Sequence, residues 1–375
     1  MRLTIFAAAL LGTAAAAIAS DPVADVRSRL APDARQAVFE VRLDTLPSGT
    51  VVARGTVSEC RLRCALMREL GPGAIDSITV YPADSMALVS IPAASLRTRP
   101  AHSAEMATQA VMGTPVRLLE HRGEWWRVQT PDGYIAWVPD SSVSPVSKSD
   151  FDTWRHNPQR YVVVSPWQIR AYTTADAVGL RDVVSDLVLG SIVTADGDDI
   201  VNHRLQVTLP DGRRGWVDRV ELVPIDTWAA QTFNPGRILD VAYSMEGTPY
   251  LWGGTSTKAI DCSGLVKVSY LANGLILMRD ASQQALTGQA LDPADIGSMQ
   301  AGDLLFFGNA ATGRITHVAI YDAGGRYVHS SGRVKRNSLH RDSPDYIYSP
   351  LRATRIHGSE GTPGITPARN HPWYF

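Results

Sequence analysis

The sequence predicts a multidomain chain: a small α/β N-terminal region, two small all-β barrels in tandem, and a C-terminal α+β domain. Three observations predict it. The segment WWRVQTPDGYIAWV at 125–138 recurs as RLQVTLPDGRRGWV at 204–217. A Gly-rich stretch, GTPYLWGGTSTKAIDCSG, leads into a helical apolar pattern and then into three strand-like runs. Ahead of both, a strand–helix–strand pattern occupies residues 20–90. At roughly 100–200 residues per domain, the 375-residue chain has room for two to four domains.

Composition narrows the function classes. The chain is 45% hydrophobic and 19% charged, an ordinary globular balance. Its formal net charge is −1 and no basic stripe is visible, which argues against nucleic acid as a partner. A neutral surface also gives no electrostatic reason to bind a membrane.

Residues 1–19 read as a secretory signal peptide. Arg2 supplies the positive start, Leu3 to Ala17 is almost wholly apolar, and Ala17-Ile18-Ala19 fits a small-x-small cleavage site. The apolar run is shorter than the ~20 residues a spanning helix needs. No Cys marks a lipid attachment point. An exported protein, periplasmic or extracellular and without a membrane anchor, is expected.

In 20–90, VFEVRLDTL reads as a strand, 58–70 as a helix and SITVYP as a second strand. Cys60 and Cys64 fall in the helix and are expected to be two buried small side chains rather than a bridge. No His or acid cluster beside them suggests a metal site. Cys262 is left as the unpaired thiol of an exported chain.

The barrels are placed at 91–148 and 160–226. Val128, Pro131, Asp132, Gly133 and Trp137 match Val207, Pro210, Asp211, Gly212 and Trp216 at one constant offset. Each PDG turn leads into a final strand bearing a buried Trp. The catalytic-looking region is placed at 232–357. It has a helix at 236–246, a helix at 262–272, and the runs DLLFF, ITHVAIY and RYVHSS as antiparallel strands. The tail, 358–375, ends in Trp373, Tyr374 and Phe375 and is expected to pack on the body, with His371 structural.

The chemistry gathers around Cys262. Asp261 is a good N-cap, which puts the thiol in the first turn of its helix, where exposed N–H groups and the dipole favour a thiolate. Asp322-Ala323-Gly324-Gly325 is a turn signal. Folding there sets His317 opposite His329, within a residue of register. A thiol, a base and a second ring that fixes the base's tautomer form a nucleophilic triad.

The motifs PYLWGG, DCSGLV, AGDLLFF, THVAIY and VHSSG occur in order over about 235–357. They resemble the NlpC-type cell-wall cysteine peptidases, whose domain is a stripped-down papain-like fold. The two repeats resemble bacterial SH3-like domains, and the combination is similar to the gamma-D-glutamyl-L-diamino acid endopeptidase subgroup. The resemblance implies Cys262 as nucleophile, His317 as base, His329 as orienting residue and Tyr250 as oxyanion donor. It also implies that Asp261 grips the free amine of an N-terminal L-Ala, with Glu105 and Tyr134 of the first barrel closing that pocket. Ser263 and Trp252 are expected along the same groove, and Ser282 is a further candidate that a helix-cap role would equally explain. Met278 stands where the family favours Pro. No cofactor and no metal are implied.

The expected reaction is hydrolysis of the bond from γ-D-Glu to a diamino acid in murein peptides with a free N-terminal L-Ala. Two alternatives stay open: a hydrolase of intact peptidoglycan anchored by the SH3-like pair, and a non-catalytic wall-binding protein. Lysine and diaminopimelate are not distinguished by the sequence.

Overall fold

The computed structural model describes residues 21–375, which form two compact units divided after Val80. The signal-peptide reading falls on residues outside this description.

In the first unit, Asp21 caps the Pro22–Leu30 helix, its carboxylate accepting from Val23 N at 3.0 Å. Strand Phe39–Thr45 pairs antiparallel with Val51–Val57, which pairs parallel with Ile75–Val80. The Cys60–Leu70 helix makes the crossover between the parallel pair and buries Leu62 and Leu66 against Ala53 and Val57. The helix and the flanking strands follow the sequence pattern. Cys60 and Cys64 do not: both thiols are exposed and free, with sulfurs 3.6 Å apart. The apolar stripe of this helix is carried by Leu62 and Leu66, and the thiols lie off it.

The second unit opens with a seven-stranded antiparallel sheet. Its strands run, side by side, Val143–Val146, Met86–Val89, Pro115–Arg122, Trp125–Gln129, Ile135–Pro139, Ala93–Arg97 and Met106–Val111. The sheet begins at Met86, earlier than the expected boundary at 91, because Met86–Val89 pairs with Val143–Val146 and Pro115–Arg122. A second seven-stranded sheet repeats the order strand for strand, from Leu222–Pro224 through Arg160–Val163 to Val183–Leu187. Gly133 and Gly212 sit at φ 82° and 85°, the left-handed conformation their turns require. Trp137 is buried, whereas its counterpart Trp216 is half-buried.

The C-terminal domain packs the Pro235–Ser244 and Cys262–Leu271 helices on a six-stranded antiparallel sheet. Its strand order is Gln289–Leu291, Arg352–Arg355, Leu304–Asn309, Arg314–Tyr321, Arg326–Ser331, Arg333–Ser338. The three expected strands form its centre. Leu265, Val266 and Val268 of the helix pack with Leu304, Phe306, Val318, Ile320 and Val328 of the sheet, a core burying well over five large apolar side chains. At ~1.5–3 kcal/mol each, such a core fixes the helix firmly on the strands that carry both histidines.

The tail packs on the body. Ile365–Pro367 pairs with Leu275–Leu277, Tyr374 lies edge-on to Trp228, and Arg160 donates to the Tyr374 carbonyl at 2.8 Å. His371 meets the Pro131 carbonyl at 3.0 Å, so the tail also reaches the PDG turn of the first sheet. Met278 lies beneath it: a Cβ added at Gly364 would meet the Met278 sulfur at 2.8 Å.

Candidate active site

The Cys262–Leu271 helix starts where the Gly-rich stretch ends. Asp261 caps it, its carboxylate accepting from Gly264 N at 2.7 Å and from Gly253 N at 2.9 Å. The two glycines are required by contact. A Cβ on Gly264 would sit 2.0 Å from the Gly254 carbonyl, and one on Gly253 would sit 2.5 Å from the Met106 carbonyl of the first sheet. The loop is therefore pressed between the helix start and the first barrel-like sheet. Gln109 of that sheet clamps it, accepting from Thr255 N at 3.0 Å and donating its backbone N–H to Thr255 Oγ1 at 3.1 Å.

Cys262 is 6% exposed and packs with Leu265, Val266 and Val318. Its sulfur accepts from the backbone N–H of Val318, the residue after His317. Burial pushes the thiol up to about 11, and the Asp261 charge adds to this; the Val318 N–H and Arg279 pull the other way. The sequence led us to expect a thiolate. In the unliganded site the loss of water outweighs the helix start.

His317 and His329 meet, Nε2 to Nδ1, at 2.7 Å. They do so diagonally rather than in direct register. The strands pair Ile320 with Val328 and Tyr321 with Tyr327, so continuing that register would set His317 against Ser331. Residues two apart share a face of the sheet, which is why the rings still meet. Burial holds His317 down at about 3, with His329 and Lys335 adding to the effect. Burial likewise holds His329 at about 4, against its hydrogen bond to Asn337, with Lys335 lowering it further.

Asn337 was missed from sequence. Its Nδ2 donates to the Asp345 carbonyl, so its Oδ1, 2.8 Å from His329 Nε2, is left to accept. His329 Nε2 then donates, its Nδ1 accepts, and His317 Nε2 carries the hydrogen between the rings. His317 Nδ1 is left with the free lone pair. The alternation in RVKRNS places Asn337 on the face of Lys335, which is paired directly with His329. That signal was available only once the strand was known.

Arg279 was also missed. It is 1% exposed and grips Asp261 through two nitrogens, at 2.6 and 3.2 Å. It donates as well to Ser263 Oγ at 2.9 Å and to Thr108 Oγ1 of the first sheet at 2.9 Å. Burial alone would lower this guanidinium, yet Asp261 holds it well above its ordinary value. Two expectations change. The Asp261 charge is balanced by Arg279 in the resting protein, with no ligand needed. Ser263 faces this buried network instead of the open groove, because its hydroxyl is taken by Arg279 and by Asp261 at 3.3 Å.

The remaining candidates scatter around this centre. Tyr250 is half-buried, and burial, then Cys262 and Asp261, push its hydroxyl up. Trp252 is 60% exposed on the Gly-rich loop. Glu105 is exposed and adjoins Met106, whose carbonyl touches Gly253. Tyr134 is buried within electrostatic reach of Arg279. Ser282 is not a helix cap: that role belongs to Asp280, which forms a reciprocal box with Gln283.

A buried thiol at a helix start, beside a histidine relay on an antiparallel sheet, is the constellation of a cysteine peptidase. Comparison with known proteins agrees. Residues 247–351 match the NlpC/P60 family, and residues 96–143 match the bacterial dipeptidyl-peptidase Sh3 domain. The chain is 31% identical over 269 residues to dipeptidyl-peptidase 6 of Lysinibacillus sphaericus, covering 69% of this chain and 94% of that protein. It is 27% identical over 268 residues to a gamma-D-glutamyl-L-lysine dipeptidyl-peptidase of Bacillus cereus, covering 67% and 75%. The crystal structure of an NlpC/P60 family protein from Bacillus cereus superposes with a TM-score of 0.61 at 23% identity, covering 72% of this chain and 99% of that one. The chain belongs to the NlpC/P60 family and is a peptidase of that cell-wall hydrolase family, joined to an SH3-like domain. Among the described residues no helix is long and apolar enough to cross a membrane.

Proposed function

We propose that the protein is an exported cysteine endopeptidase that hydrolyses the γ-D-Glu–L-diamino acid bond of murein peptides bearing a free N-terminal L-Ala. The observation that carries this reading is the relay Asn337–His329–His317, which leaves His317 Nδ1 as the free base on the strand beside Cys262. The relatives named for gamma-D-glutamyl-L-lysine cleavage support the choice of bond.

In this reading the thiol proton passes to His317 Nδ1 as the sulfur bonds to the γ-carbonyl carbon. The carbonyl electron pair moves onto oxygen, and the Tyr250 hydroxyl donates to it; one such donor is typically worth ~10²–10³ in turnover. Collapse breaks the C–N bond, and the leaving amine takes the proton from His317. Water, deprotonated by His317, then releases the thioester and restores the thiol. Because thiol and imidazole are both neutral at rest, the proton moves during attack rather than before it.

The same reading makes residues 1–19 a signal peptide and 160–226 a second SH3-like domain, the latter supported by the repeated strand order. The domain limits 20–90, 91–148, 232–357 and 358–375 belong to it, with the first barrel starting at Met86 instead. On the acyl side, the exposed Glu105 has no side-chain hydrogen bond or ion pair among the described residues, so it carries most of the attraction for an ammonium, with Tyr134 and Trp252 as walls. Asp261 adds its cap and its hold on Arg279. Mass spectrometry of products from defined murein tri- and tetrapeptides tests the proposal. L-Ala-γ-D-Glu plus the diamino acid or diamino acid–D-Ala is expected; release of any other fragment contradicts it.

A further inference from the structure

One charged surface is not used by the mechanism. A groove of 580 Å³ runs along the outer strand Arg333–Ser338, bounded on the far side by Pro344–Ile347. Its cations are Arg326, Arg333, Lys335 and Arg336, and its acids are Glu246 and Asp345. Glu246 is taken by Arg336 at 2.7 Å. Arg326, Arg333 and Lys335 have no carboxylate partner among the described residues, so the groove carries unbalanced positive charge.

The groove joins the candidate active site directly. Asn337 lines it and also bonds His329. Lys335 is the cross-strand partner of His329, so both side chains leave the same face of the sheet. Lys335 is half-buried, and its charge bears on both imidazoles, after burial, His329 and Asp261 in the case of His317 and after burial and Asn337 in the case of His329. A half-buried ammonium with no anion, beside two rings that must accept a proton, is an arrangement a bound carboxylate would improve twice. It would pair the ammonium. It would also relieve the repulsion that disfavours protonated His317.

The side of the site follows from the chemistry. The base that protonates the leaving amine faces the leaving half of the substrate. From His317 the sheet runs through His329 on the next strand to Lys335 on the outer one, whereas Glu105 adjoins the Met106–Val111 strand of the first seven-stranded sheet. We propose that Lys335, with Arg333 on the same face of its strand, receives a carboxylate carried by the leaving diamino-acid half of the substrate. This rests on the reaction proposed above. The carboxylate has two possible sources: the chain-terminal carboxyl, or the second carboxyl of a diaminopimelate side chain.

Three peptides separate them: L-Ala-γ-D-Glu-L-Lys as free acid, the same peptide as carboxamide, and the diaminopimelate peptide amidated only at its terminal carboxyl. The wild type is expected to prefer the free acid over the lysine amide by about tenfold in kcat/KM, the scale of one charge-assisted contact. K335Q should bring those two within about threefold, and K335R should keep the preference. Recovery of the rate with the amidated diaminopimelate peptide assigns the groove to the side-chain carboxyl; no recovery assigns it to the terminal one. Equal wild-type rates on all three peptides, or a preference that survives K335Q, overturns the inference while leaving the reaction standing. Failure to cleave any of the three removes the reaction and the inference with it.

Discussion

The two seven-stranded sheets share one strand order and one PDG turn, yet their turns end in different places. Asp132 of the first is wholly buried and meets Lys267 of the Cys262 helix at 2.7 Å. Burial works to raise its carboxyl, and Lys267 more than offsets this. Asp211 of the second pairs at 2.7 Å with Arg213, two residues along its own turn, on the surface. At the next repeated position the first copy has buried Tyr134 near Arg279, and the second has Arg213. A fold repeated for stability has been differentiated at its turn. The turn of one copy pairs its aspartate with the Cys262 helix; the turn of the other pairs its aspartate within itself, and that copy meets the Gly-rich stretch elsewhere, through Asp186 and Lys258 at 3.0 Å.

The largest way to test this division is Arg279→Met. The change leaves Asp261 buried without its cation and cuts the link to Thr108. Removing one partner of a buried pair costs ~3–5 kcal/mol, so a loss of that order is expected in denaturant unfolding, together with loss of activity. A loss under about 1 kcal/mol, the scale of an exposed pair, would mean that the first sheet is not wired to the helix start.

Asp132→Asn and Asp211→Asn form the direct comparison. The first strands Lys267 and should cost ~1–3 kcal/mol, the usual penalty for an unsatisfied buried group. The second should fall within ~0.5 kcal/mol, as for a surface substitution. Equal costs in thermal or chemical unfolding would erase the distinction between the copies.

The acid response of the two histidines is smaller, and it comes on top of that of Asp132, whose carboxyl Lys267 holds low against burial. Both histidines have folded values below the unfolded value near 6.5. Above that pH both rings are neutral in both states and add no pH dependence. As the pH falls from about 6.5 toward 4 and 3, the unfolded chain takes protons first and stability is lost. Stability measured against pH should decline across that window, and less in His329→Gln. The thiol tells the same story from the other side. Iodoacetamide should modify Cys262 slowly at neutral pH, with a rate that climbs toward about 11. A plateau already reached near pH 6 would indicate a resting thiolate instead.

The sequence exposed those parts of the molecule that repeat or that punctuate. The barrel repeat, the Asp261 cap and the two histidines were readable because glycine turns, alternation and capping act over a few residues. What escaped acts at a distance. Arg279 carries no local signal, since nothing in its neighbours along the chain tells that its fork spans Asp261, Ser263 and Thr108. Asn337 lies in a strand, RVKRNS, whose charges masked its pairing with the active-site strand. The thiolate expectation failed for the same reason: a helix start is visible in sequence, but the burial that overrides it is tertiary. Cys60 and Cys64 erred in the opposite direction, since a helix of mixed polarity does not declare which flank faces water.

The account stands on the claim that the first barrel and the Gly-rich loop build the seat for a free substrate amine. The most direct measurement compares kcat/KM for L-Ala-γ-D-Glu-L-Lys and its N-acetyl form, in the wild type and in Glu105→Gln. Glu105 is exposed at rest; once bound substrate closes the pair off from water, losing one member costs ~2–5 kcal/mol, so acetylation should lower the wild-type value by about 30-fold or more. Glu105→Gln should show a similar loss on the free peptide and little further loss on the acetylated one. Equal turnover of the two peptides by the wild type would contradict the claim and reduce the first barrel to a packing partner like the second.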